Sequence, residues 1–213
     1  MMGKGFGLFL LLLLLTAGCR TAYYSTMEKF GVYKRDILKD NVQEARDEQK
    51  KATEQFKDAL TRLRELYGSP GGDLEKIYDK LQADFNRSTT RANAVKERIH
   101  KVETVSSDLF KEWEQEITTM QNPKLAADSR EKLRETREKY DALHSAMKRA
   151  EASMDPVLAQ FHDQVLYLKH NLNAQAIGSL KGETVDIEKE IQRLISDMNN
   201  SIQEADRFIE GLK

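Results

Sequence analysis

The chain has 213 residues, enough for one domain behind a short leader. Charged residues make up 32% and aromatics 8%, with three prolines and eleven glycines, a balance that points to long solvated helices joined by thin apolar seams and not to a thick globular core. A formal net charge of −1, four histidines and one cysteine exclude an overall basic field for nucleic acid and an internal disulfide framework, and leave little material for a protein-supplied metal site.

Lys4 precedes a mostly apolar run from Gly5 to Leu15. One cation followed by roughly ten apolar residues is the outline of a signal peptide, and the run falls short of the roughly twenty apolar residues that a permanent span needs. It ends in Leu15-Thr16-Ala17-Gly18-Cys19, which resembles the lipobox of bacterial lipoproteins, although that family more often has Leu where Thr16 stands. The resemblance implies a leader over residues 1–18, cut before Cys19, with a diacylglycerol on the Cys19 sulfur and an acyl chain on the new amine. Small side chains at Ala17 and Gly18 suit a narrow protease cleft, and two or more acyl chains anchor stably where one does not. The rival readings are an ordinary secretory leader with a chance cysteine, or a short membrane tether. Arg20 occupies the place where an aspartate would resemble an inner-membrane retention signal, so the resemblance implies the outer membrane, facing the periplasm.

Residues 19–34 read as a lipid-anchored tether with some helical turns, and 35–213 as the helical domain. From Asp36 the seam Leu38, Val42, Ala45, Gln49, Ala52, Phe56, Ala59, Leu63 and Leu66 steps alternately by four and three, a heptad pattern with one polar member. Asp47 with Lys51 and Asp58 with Arg62 form supporting i,i+4 pairs. Gly68-Ser69-Pro70-Gly71-Gly72 stops the helix and Asp73 caps the next. The second helix is expected from Leu74 to Gln121 with seam residues Leu81, Phe85, Ser88, Ala92, Val95, Ile99, Val102, Leu109 and Trp113. Asn122-Pro123 opens the third. Asp155-Pro156 interrupts its seam and favours a kink over a fresh start, because apolar residues resume within a turn. Gly178 and Gly182 bracket an expected weak point or turn before a final helix carrying Ile187, Ile191, Leu194, Met198, Ile202, Ala205 and Ile209.

The expected fold is therefore all-α: long antiparallel helices in an elongated three- to four-helix bundle. The lengths suggest four helices near Gly71 and Gly182, and a projecting two-helix hairpin over the half around Asn122. The rival is a three-helix rod with one helix continuous through Gly182.

Site chemistry is sparse. Glu97 with His100 and Asp141 with His144 have the Glu-x-x-His outline of di-iron bundles, but Ile99 and Leu143 hold the seams, so these polar residues read as solvated flank. His162 and His170 lack a recognisable ligand set, and the loop at Gly68 to Gly72 lacks the Lys-Ser or Lys-Thr of a phosphate loop. No catalytic, cofactor-binding or metal residue is assigned, and no cofactor is expected. Trp113 reads as a filler of a wide seam layer, or as a partner anchor where the bundle thins. Acids outnumber bases over 183–213, while 124–151 leans basic.

The leader, Tyr23-Tyr24, Gly71-Gly72-Asp73, and above all the stretch from Gln164 to Ala174 (QVLYLKHNLNA) together resemble a family of bacterial envelope lipoproteins known only as a domain of unknown function. The resemblance covers essentially the whole chain and implies an address and a fold, with no established activity. The expected function is a membrane-anchored structural or protein-interaction module, held by acyl chains on Cys19 and meeting a protein partner or its own copy through helix faces. Alternatives are a binding module for a lipid or other apolar ligand between the helices near Phe161 to Leu172, with His170, Asn171 and Asn173 as polar contacts, and more remotely a metal-dependent bundle enzyme.

Overall fold

A computed structural model describes residues 23–68, 73–171 and 174–212. The leader, Cys19, the loop from Ser69 to Gly72, Leu172 and Asn173 lie outside the described residues. After a short helix α1 over residues 23–29 come four long ones: α2 (Lys34–Gly68), α3 (Leu74–Thr119), α4 (Pro123–His170) and α5 (Ala174–Gly211). Their 35, 46, 48 and 38 residues correspond to about 52, 69, 72 and 57 Å at 1.5 Å per residue. Among the described residues there are no strands.

Each long helix packs antiparallel on its chain neighbours, and α5 closes the ring against α2. The register is written in flank ion pairs: Arg46 to Asp206 at 2.8 Å and Arg64 to Glu188 at 3.1 Å between α2 and α5, Lys34 to Glu112 at 2.6 Å between α2 and α3, and Lys96 to Asp155 at 2.6 Å between α3 and α4. Exposed pairs of this kind contribute roughly 0–1 kcal/mol each. Stability comes from the seam, where Leu38, Val42, Ala45, Gln49, Ala52, Phe56, Ala59 and Leu63 of α2 are buried as their spacing requires. The outer pairs of α2 differ in one case: Asp58 meets Arg62, but Lys51 meets Glu48, and Asp47 meets Arg46.

The helix starts follow local chemistry. Asp36 reaches back to the Tyr33 N–H at 3.2 Å in a capping-box arrangement. Asp73 accepts from the Lys76 N–H, and Asn122 from those of Lys124 and Leu125 ahead of Pro123.

Two expectations are corrected. α5 runs helically through Gly178 and Gly182, and the chain reverses between His170 and Ala174 instead. Two glycines cost a helix only about 1 kcal/mol each relative to alanine, and buried Leu180 and Ile187 hold this stretch to the bundle, whereas Asn171 folds back to cap α4 through the Tyr167 and Leu168 carbonyls. No fresh helix starts at Pro156, in keeping with the seam that resumes within a turn: α4 continues through it, with Met154 and Val157 buried on either side and Asp155 drawn outward to Lys96. The early start of α5 leaves less hairpin than expected. Lys139 lies against Gly211, the last residue of α5, and Lys34, the first of α2, reaches Glu112. Only about 21 Å of α4, from Pro123 to Thr136, projects beyond them.

In α5 the core position is Ser201, with Ile202 half-buried. The burial steps Met198, Ser201, Ala205, Phe208 keep the three-four rhythm.

Candidate functional site

The residues ahead of α2 are a docked element, and this bears on the tether expected over 19–34. Tyr24 of α1 is 7% exposed, donates from its hydroxyl to Asp108 Oδ2 at 3.1 Å, and lies under Lys34 Nζ at 4.7 Å from the ring centre. Met27 and Val32 pack against the core. Gly31, at φ 78°, closes α1: Val32 N–H bonds the Met27 carbonyl and Gly31 N–H that of Glu28. This is a Schellman cap, which needs the left-handed conformation that glycine adopts freely. The same segment leaves Tyr23, Phe30 and Tyr33 exposed, Phe30 at 79%.

Beside it, where α2 and α5 stop short of the hairpin, is a groove of about 730 Å³ lined by residues including Glu28, Lys34, Trp113, Lys132, Lys139 and Leu212. Trp113 is half-buried there and donates from Nε1 to Ser129 Oγ at 2.8 Å. It packs against the core as a filler of that layer and stays partly exposed. Phe110 and Phe208 meet Tyr140 edge-on at 5.4 and 6.2 Å between ring centres, so this end of the bundle has an aromatic core.

At mid-length the seam turns polar. Thr53 Oγ1 donates to the Gln49 carbonyl and lies 3.4 Å from Met198 Sδ. Gln49 and Ser201 fall between the Thr53–Met198 and Arg46–Asp206 rungs, both fully buried. Neither amide atom of the Gln49 side chain, nor Ser201 Oγ, has a hydrogen-bond partner. Nearer the Asp73 end, Asp84 is 1% exposed and clamped by Arg62 at 2.6 Å and Arg87 at 2.5 Å. Its hydrogen bond raises the Arg62 guanidinium's affinity for its proton. The spacing Leu81, Asp84, Ser88 carried that signal, but apolar Phe85 masked it.

The histidine flank forms one cluster, around a residue outside both Glu-x-x-His outlines. Glu103 accepts from His144 Nε2 at 2.8 Å and has His100 and Lys148 within 3.7 and 3.6 Å. Burial opposes its charge, but the hydrogen bond from His144 and the positive charge of Lys148 hold the carboxyl below the usual range. His162 instead lies against Phe85. Glu97 pairs with Lys101 and Asp141 is exposed. Among the described residues no three His, Cys, Asp or Glu side chains form a set able to hold a metal ion, and no helix is long and apolar enough to cross a membrane.

At the far end, Leu166, Tyr167 and Val185 are exposed beside a shallow groove of about 570 Å³ between α4 and α5. Phe161, Val165 and Leu168, expected to border any ligand, are buried in the core itself, and His170 is exposed.

These features define an antiparallel four-helix bundle with a short projecting hairpin and a docked N-terminal strap. The chain belongs to the family described as "Protein of unknown function (DUF2959)", whose model matches residues 23–212. That match begins at Tyr23, four residues after Cys19. No curated protein matches the chain.

Proposed function

We propose that the protein is a non-catalytic helical module, anchored by acyl chains on Cys19 in the bacterial envelope, facing the periplasm from the outer membrane, and working by packing its helix faces on another protein or a second copy. The observation that carries the reading is the placement of Cys19, at the end of the apolar leader and four residues ahead of a strap fastened to the bundle. An anchor so close to the folded body acts on the whole rod.

The exposed Leu166, Tyr167 and Val185 give α4 and α5 an apolar contact surface, about 40 Å along α4 from the level of the strap. An apolar ligand between the helices is the weaker reading, because Phe161, Val165 and Leu168 fill that space. A metal-dependent reaction is weaker still, since the His144 and His100 neighbours of Glu103 are matched by Lys148, a cation, where a ligand set needs another donor.

A photoreactive residue at 167, with others at 122 and on each helix face, tests the proposal in intact cells. A discrete protein adduct from at least one face is expected. Lipid adducts alone, or none, from every position would overturn it.

A further inference from the structure

We infer that the strap formed by α1 and the turn after it is a membrane-contact surface, with Tyr23, Phe30 and Tyr33 seated in the headgroup region of the lipid leaflet that holds the Cys19 acyl chains. The inference deepens the anchored reading and rests on it.

The length of chain beyond the strap sets the geometry. Four residue steps separate Cys19 from Tyr23, and an extended chain covers at most about 3.6 Å per step, so Tyr23 stays within about 14 Å of the anchored cysteine. The headgroup region of one leaflet is itself about 5–7 Å deep. Acyl chains on the cysteine therefore keep the start of α1 in the headgroup region or within about 10 Å of it, whatever path those residues take.

The strap cannot swing its aromatic residues out of reach. Tyr24 is pinned to Asp108, Lys34 binds both Glu28 and Glu112, and the Gly31 cap fixes the direction in which the chain enters α2. Tyr23 and Phe30 are seven residues apart, about two helical turns, and so share a side of the strap, with Tyr33 following just past the turn. All three are exposed, although among the described residues the large aromatic side chains elsewhere in the bundle are buried or half-buried except Tyr167. Rings with one apolar body and a polar tip, such as tyrosine, concentrate at the membrane–water interface.

Charge agrees with a lipid occupant. Residues 20–36 hold Arg20, Lys29, Lys34 and Arg35 against two carboxylates, Glu28 and Asp36, in a chain whose overall net charge is −1. Lys29 and Arg35 are exposed, placed to meet anionic phosphates, and basic residues near such a surface add to anchoring.

The test uses the full lipidated chain in vesicles of phosphatidylethanolamine and phosphatidylglycerol with brominated acyl chains. Phe30→Cys or Val185→Cys supplies a thiol for an environment-sensitive dye at an exposed position on the strap or the far end. With Cys19 blocked as a thioether, each protein takes up one dye. The dye at 30 is expected to lose most of its emission to the brominated lipid, and the dye at 185 to keep it. One dye per chain with equal, weak quenching at both positions would overturn the membrane contact while leaving the anchor intact. Two dyes per chain would show an unmodified Cys19 and overturn both.

Discussion

Gln49→Leu is expected to stabilise the protein. Gln49 is fully buried in α2, opposite α5, and neither its carbonyl oxygen nor its amide nitrogen has a partner. An unmet buried polar group costs about 1–3 kcal/mol. Leucine removes that cost and adds apolar contact with the neighbouring seam, while the change of shape returns up to about 1.5 kcal/mol in strain. The net gain is about 1–2 kcal/mol, or a rise in Tm of a few degrees for a chain of this size, at about 2–4 °C per kcal/mol. Urea unfolding of the chain from Arg20 onward, followed by far-ultraviolet circular dichroism, measures it. A polar residue in a seam fixes register at the expense of stability, so slower amide exchange around Gln49 and Ser201 is not required, but a higher urea midpoint is. A loss of more than about 1 kcal/mol would refute the reasoning, because it would mean that the amide is satisfied in the folded state.

Asp84→Ala opens the α2–α3 clamp and is expected to cost about 2–3 kcal/mol, below the roughly 3–5 of a fully buried pair because Arg62 and Arg87 reach solvent; an unchanged urea midpoint would contradict the clamp. Glu103→Gln lowers stability at neutral pH by at most about 1 kcal/mol, as for a partly exposed pair. The native carboxyl ionises below its ordinary 4.5 while facing His144 and Lys148 of α4 and His100 of its own helix. Its contribution is therefore present above pH 4.5 and lost as pH falls through the lowered native value, so the variant's deficit at pH 7 closes on acidification below that value in paired denaturation curves. Gly31→Ala forces an L side chain into the left-handed region at a cost of about 1–2 kcal/mol; hydrogen exchange should quicken over residues 23–33 and stay unchanged in the core of α4.

The sequence patterns that proved readable share a physical basis. The α2 seam is legible because burial of one helix stripe imposes a three-four rhythm on every side chain along it, and Gln49 kept the rhythm despite being polar. Asn122-Pro123 and Asp73 are legible because capping is local. The features that were missed depend on partners distant in the chain. Asp84 is a core residue only because Arg62, on another helix, neutralises it, and Tyr24 is an anchor only because Asp108 lies across from it. The reversal after His170 was misplaced because two glycines are a stronger local signal than Asn171 and Asn173, while the packing of Leu180 and Ile187 that overrides the glycines is tertiary. Surface chemistry was the least legible: the seam marks Phe56 as core, but outside any seam nothing shows that Phe30 is exposed and Tyr24 buried until the strap is seen docked.

The most direct measurement is the intact mass and amino-terminal sequence of the protein extracted from cell membranes. The account predicts a chain beginning at Cys19, carrying the mass of a diacylglycerol and a further acyl group, and recovered with the envelope. A chain beginning at Met1, with a free thiol and a cytosolic distribution, would contradict it.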